Sequence, residues 1–274
     1  MKTISIAPIG GLGNRMLAIS SFLSYCQKMN YRLRILWIPD KGLLCPLPDL
    51  FDFSEREDVE IKEITGWRRL LFDYPRKSVL WLSPISHYFL FAKRIYLKEY
   101  YSFWDIQNPA EELTQRIEKA DSVYIVACRN LFEEKKMNLP TISDNVKKEL
   151  QTIISEFTPD TIGIHIRRTD NIQSISSSPL SLYVEKMTEE LEKNPKTMFY
   201  VASDSLDEKE KLKELFPGKI ITSATEVRRD SKSGIIFALA EMYALAKTTK
   251  IYGSQYSTFA IVAGKIHPTE IHLF

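Results

Sequence analysis

The residues best suited to chemistry are Arg167 and Arg168, in the run His165-Ile166-Arg167-Arg168-Thr169-Asp170. They follow an apolar stretch, residues 161–166, that reads as a buried strand. Ligands of open α/β sheets lie outside the carboxyl ends of strands. A guanidinium is a permanent cation whose N–H fork matches phosphate oxygens in pairs. Two of them at one strand end can neutralise a diphosphate and stabilise the charge that builds on it as a bond to it breaks, without a metal. The bland alternative is a solvated turn whose arginines pair with Asp170. Asp170 is the first candidate for a general base, with orientation of Arg167 or Arg168 as its equal alternative. His165 alone reads as a core histidine.

Two further segments have anion-friendly chemistry. Gly10-Gly11-Leu12-Gly13-Asn14 closes a first apolar strand and opens a helix, where backbone N–H groups and the positive helix end favour a phosphate. It is not a dinucleotide fingerprint, because Met16 stands at the third glycine position and the next acid after the second strand, Asp40, comes late. No Walker lysine follows either. A tight turn with no ligand is the alternative. Gly253-Ser254-Gln255-Tyr256-Ser257-Thr258-Phe259 again joins a strand end to a helix start, where hydroxyls suit phosphate; an ordinary N-cap at Ser257 or Thr258 is the alternative. Asp204 follows the strand at 198–202. Arg228, Arg229 and Asp230 form either a loop over the ligand or a solvated charged stretch, and Glu241 lies on a helix over 234–246.

The elements that must position these residues alternate. Residues 2–9, 32–38 and 122–128 read as strands, 15–30 as an apolar-periodic helix and 141–156 as another. Phe157-Thr158-Pro159-Asp160 breaks that helix and marks the expected boundary between domains 1–157 and 158–274. Beyond it, strands at 161–166, 198–202, 219–222, 250–252 and 270–274 alternate with helices at 180–193, 206–215, 234–246 and from 258. That alternation predicts parallel sheets, an α/β fold with two halves facing a cleft. Residues 41–120 give only short apolar patches, aromatics and scattered prolines.

With 274 residues the chain can bury one or two cores. A net charge of +2, from 37 basic and 35 acidic residues, excludes a general nucleic-acid binder. Cys26, Cys45 and Cys128 form no CxxC pair and read as reduced thiols of a cytoplasmic protein. The four histidines lack ligand spacing, so no metal is expected. The amino terminus lacks the pattern of a secretory signal. Residues 78–97 mix apolar and aromatic residues with Pro84, His87, Lys93 and Arg94; they read as a buried helix or strand pair, with peripheral membrane contact as the alternative.

GGLGN near the start, HIRRTD past the middle, Tyr200-Val201-Ala202-Ser203-Asp204 and then GSQYSTF, in that order, resemble the motifs of bacterial α1,2-fucosyltransferases and of nodulation Z-type α1,6-fucosyltransferases. The resemblance covers both ends of the chain and most of its second half, and is weak between about 41 and 140. It implies a GT-B-like fold of two Rossmann-like domains, an amino-terminal one on the acceptor side and a carboxyl-terminal one holding the nucleotide sugar. By the same resemblance Arg167 binds the donor's β-phosphate, and His165 contacts the donor. Gly11, Gly13 and Asn14 belong to a loop over the diphosphate, and Ser257 and Thr258 place hydroxyls near the phosphates. Arg168 and Asp204 complete the expected donor set.

The activity implied is inverting, metal-independent transfer of fucose from GDP-fucose to a glycan or lipid-linked glycan hydroxyl, with no cofactor. The sequence departs from the relatives in two places. Only Asp204 is acidic where relatives often have paired acids, one reading guanine. Asn171 and Ile175 stand where some relatives carry lysine and glutamate, so the general base does not carry over. A different nucleotide-deoxysugar donor and a degenerate, non-catalytic binder are the alternatives.

Overall fold

Strands that are apolar along most of their length cannot leave a face to water, and this chain contains several. Thr161–Ile166 is buried along its whole length, as parallel strands covered on both sides must be. The computed structural model describes residues 1–40, 42–74, 82–131, 135–168, 172–223 and 230–274. They form two compact units, Met1–Ser143 and Asp144–Phe274.

The first unit opens with β1 (Thr3–Pro8), α1 (Leu12–Met29) and β2 (Arg32–Trp37), then a two-residue strand β3 (Phe51–Asp52) and β4 (Val59–Glu63). Next come α2 (Arg69–Phe72), α3 (Leu82–Leu90), β5 (Lys93–Ile95), α4 (Leu97–Ser102), α5 (Pro109–Ile117), β6 (Ser122–Ala127) and β7 (Thr141–Ile142). Five strands make one parallel sheet in the order β4-β2-β1-β6-β5, while β3 pairs antiparallel with β7. The strand order reverses between β1 and β6, whose carboxyl ends meet at Pro8 opposite Ala127. Ala7, Leu36, Tyr124 and Val126 fill the core at that end, with Phe91 from the α3–β5 junction.

The second unit contains α6 (Asp144–Ile154), β8 (Thr161–Ile166), α7 (Ile172–Ser177), α8 (Leu180–Lys193), β9 (Met198–Ser203) and α9 (Leu206–Leu215). It continues with β10 (Ile220–Ile221), α10 (Lys232–Leu245), β11 (Lys250–Gly253), α11 (Thr258–Ile266) and β12 (Glu270–Leu273). Its parallel sheet runs β10-β9-β8-β11-β12, and reverses between β8 and β11. The α10 segment is apolar nearly all round and is buried nearly throughout, as such a helix must be.

The chain divides at Ser143/Asp144, whereas the sequence pattern places the boundary at 157/158. The apparent breaker at 157–160 is a local turn in which Thr161 N–H donates to the Thr158 carbonyl at 3.1 Å, and Thr158 N–H to Thr161 Oγ1 at 2.8 Å. Helix α6 buries Val146, Leu150 and Ile153 and packs on α10, which ties it to the second unit. Of residues 78–97, expected as a buried helix or strand pair, the described part 82–97 contributes helix α3 and the short strand β5. The outward side of α3 is exposed: Tyr88 is 67% and Phe89 80% accessible. Among the described residues no helix is long and apolar enough to cross a membrane.

Candidate functional site

The carboxyl ends of β8 and β11 flank the switch point of the second sheet, the usual ligand position in such sheets. Gly253 pairs with His165 in register. Beyond it, Ser254 N–H donates to the His165 carbonyl at 3.1 Å, while Ser254 Oγ accepts from Arg167 N–H at 3.0 Å and lies 2.7 Å from Tyr183 Oη. The backbone of the arginine pair is thereby fixed to the neighbouring strand. A Cβ on Gly253 would lie 2.5 Å from Ala260 Cβ, so only glycine lets α11 start so close to the sheet.

Asp204, at the end of β9, holds both arginines. Arg168 N–H donates to its Oδ1 at 2.8 Å, and Arg167 Nη1 lies 3.0 Å from its Oδ2. Arg168 Nε is 3.3 Å from Glu208 Oε1 on α9. Arg167 and Asp204 are only 15% and 12% exposed, so the pair is a held device rather than a solvated surface contact. Asp204 thereby contacts both arginines. Thr169 and Asp170, like Arg228 and Arg229, lie outside the described residues.

His165 is 4% exposed, its ring stacked on Phe259 with centroids 4.9 Å apart. Burial, aided by Arg167 and opposed by Asp204, pulls its pKa down to about 4, so the ring is neutral at pH 7. Its Nδ1 has no hydrogen-bond partner among the described residues. Ser257 caps α11, accepting from Phe259 N–H at 3.4 Å, and Thr258 is the first residue of that helix. The N-cap expected at Ser257 or Thr258 is thus Ser257.

Helices α9 and α10 carry a buried Lys–Glu pair. Glu241 is 2% and Lys209 1% exposed, 3.8 Å apart, too far for a hydrogen bond. Lys209 Nζ donates instead to the Ser223 carbonyl at 3.1 Å.

In the first unit the β1–α1 turn has its own construction. Gly10 adopts φ +89°, a conformation glycine alone takes without strain, and a Cβ there would meet Asn14 Nδ2 at 3.0 Å. Gly11 is the N-cap of α1, with open space above it and no side-chain cap. Gly13 is buried within α1. Asn14 Oδ1 is buried without a partner among the described residues, while its carbonyl accepts from Arg129 N–H at 3.3 Å.

Two residues here were missed. Arg15, 1% exposed, donates to the Gly10 carbonyl at 2.9 Å, the Ile38 carbonyl at 2.8 Å and Asp40 Oδ2 at 2.8 Å. Its guanidinium lies 4.9 Å from the Trp37 ring centroid. It ties the glycine turn to the end of β2, so Asp40 serves that anchor. Arg129, at the end of β6, has φ +69°, unusual for a non-glycine residue; nothing in the local sequence announces it.

Among the described residues no three His, Cys, Asp or Glu side chains gather as metal ligands. A hollow of about 840 Å³ between α1 and α5 is lined by Tyr25, Lys28, Asn108 and Thr114, among others. None of the strand-end residues lines it.

No described protein family matches the sequence, and no curated protein does. Solved structures do match its fold. The chain is similar to NodZ α-1,6-fucosyltransferase soaked with GDP-fucose, at a TM-score of 0.61 and 16% identity, over 97% of this chain and 93% of that one. It is similar to POFUT1 in complex with GDP, at 0.61 and 13%, over 100% and 98%. A mutant of Arabidopsis thaliana FUT1 in complex with GDP gives 0.64 and 17%, over 99% and 70%. At these identities the likeness establishes the α/β fold with its parallel sheets.

Proposed function

We propose that this chain is a glycosyltransferase that moves fucose from GDP-fucose to a hydroxyl of a glycan or lipid-linked glycan acceptor, with inversion and without a divalent metal. The observation that carries this proposal is Arg167 fixed at a sheet switch point between Ser254 and Asp204, in a fold shared with structures bound to GDP or GDP-fucose. The acceptor oxygen attacks C1 of fucose while the bond from C1 to the β-phosphate oxygen breaks. GDP leaves with the electron pair, and a base takes the acceptor proton. Arg167 and Arg168 stabilise the charge growing on the departing diphosphate. Neutral His165 offers its ring to the donor, and Ser257 and Thr258 offer hydroxyls to the phosphates. Gly11, Gly13 and Asn14 make an anion-suited turn at the start of α1 in the first unit. Asp170 is assigned the base.

Thermal melting with GDP, UDP and dTDP tests the donor, because a ligand that binds only the folded state raises stability by mass action. GDP alone is expected to raise the melting temperature. GDP release from GDP-fucose with an acceptor panel, in the presence of a chelator, tests the chemistry. A shift with dTDP or UDP but not GDP assigns another donor, and GDP binding without release across the panel assigns a non-catalytic binder.

A further inference from the structure

Between Glu63 and Glu99 the sequence carries seven Lys or Arg and a single acid, so a chain of net charge +2 holds +6 here and −4 elsewhere. The one acid, Asp73, is fully buried and paired with Arg69 at 2.9 Å. Within this basic stretch α3 turns an apolar face outward. Ile85, Tyr88 and Phe89 are 47%, 67% and 80% exposed, and their i, i+3, i+4 spacing puts them on one side of the helix. His87, on the other side, is buried against Tyr124 with ring centroids 4.1 Å apart. The Arg94 guanidinium lies 5.3 Å from the Tyr88 ring centroid, so cation and aromatic share one surface. Ser86 Oγ donates to the Leu71 carbonyl at 2.9 Å and fastens α3 to α2. The turn before α2 exposes Trp67 at 68% and Arg68 beside it.

Single exposed apolar residues are ordinary, whereas a clustered aromatic face needs an occupant. Its chemistry selects that occupant. Aromatic and aliphatic side chains beside Lys and Arg suit the headgroup zone of an anionic membrane, with rings in the acyl boundary and cations at the phosphates. A second copy would set two strongly positive surfaces face to face, because a two-fold contact pairs each patch with itself. We propose that the Ile85–Tyr88–Phe89 face of α3, with Trp67 and the surrounding basic residues, docks the protein on an anionic phospholipid surface. This docking does not rest on the transferase assignment and needs no donor.

The test is sedimentation of the full-length protein with vesicles of phosphatidylcholine alone and of phosphatidylcholine with one-third phosphatidylglycerol. Binding is expected only to the anionic vesicles and weakens as salt screens the charges. Tyr88→Ser with Phe89→Ser is expected to weaken it about tenfold or more. Arg68→Glu with Lys93→Glu does so comparably, each basic residue near such a surface strengthening binding about fivefold. Melting curves matching wild type establish that the variants are folded, and the single Phe89→Ser change replaces any that is not. Equal binding to both vesicle types, no binding, or wild-type binding by the folded variants overturns the proposal. So does a vesicle-free dimer that Tyr88→Ser with Phe89→Ser dissociates, which would assign the face to self-association.

Discussion

Burial raises the Glu241 carboxyl to about 7 from an ordinary 4.5, outweighing the attraction of Lys209, with Asp204 adding a smaller repulsion. A carboxyl whose folded pKa is raised stabilises the protein fully below its unfolded value, and that stability is lost as pH rises from about 4.5 through about 7. Buried His165 and His87 act in the opposite sense. Both are pulled from 6.5 down to about 4, mainly by burial, so their stability is present above 6.5 and lost as pH falls through about 4. Glu241→Gln removes the first effect and leaves the second. The melting temperature of Glu241→Gln minus that of wild type is expected to climb by on the order of several degrees between pH 4.5 and 7, then level off. A difference that stays constant across this range contradicts a raised Glu241 pKa. Melting scans of both proteins in matched buffers measure it.

At the element scale, glycine placement separates structure from binding. Gly253→Ala forces a Cβ to within 2.5 Å of Ala260 Cβ and pushes α11 from the strand end that carries Ser254 and Ser257. Overpacking of this kind costs about 1–3 kcal/mol, so the melting temperature should drop by several degrees. Gly11→Ala, with φ −69° and no atom within 4 Å of the added carbon, should melt like wild type. Equal melting of both variants contradicts this division of roles. Elements around the arginine site were legible because their periodicity is clean: β8, α8 and α9 fall at the residues expected from sequence. Residues 41–120 were not, for local reasons. The edge strand β4 is a half-buried Val-Glu-Ile-Lys-Glu that shows little of the apolar run of a central strand, and β5 has only three residues. Helix α5 did carry a signal, with Asn108 as N-cap, Pro109 at N1, acids in its first turn and Arg116 in its last. Within the site, the arginines and glycines were visible as types at strand ends. The hydrogen bonds of Arg15 to the end of β2 and the φ of Arg129 arise from tertiary geometry, which local pattern does not encode.

At the scale of the molecule, α6 decides where the second unit begins. Residues 144–274 retain the helix that covers α10, whereas residues 158–274 strip it and expose apolar surface that α10 shares with Val146, Leu150 and Ile153. A fragment of residues 144–274 is therefore expected to unfold cooperatively on heating. A fragment of residues 158–274 is expected to aggregate or melt without a transition. Cooperative melting of both at similar temperature would move the boundary back to 157/158. The basic aromatic face lies in the first unit and the two arginines in the second, so the proposed membrane docking and the proposed diphosphate chemistry should be lost separately by substitution.

The proposed transfer rests on the guanidinium of Arg167, which pairs with Asp204 while the Arg167 backbone N–H donates to Ser254. The turnover of Arg167→Ala with GDP-fucose, beside a circular dichroism spectrum and melting curve that report folding, tests it most directly. A loss of transfer on the order of 100-fold or more in a folded protein is expected, comparable to deleting one oxyanion donor. Near-normal transfer by folded Arg167→Ala would contradict it.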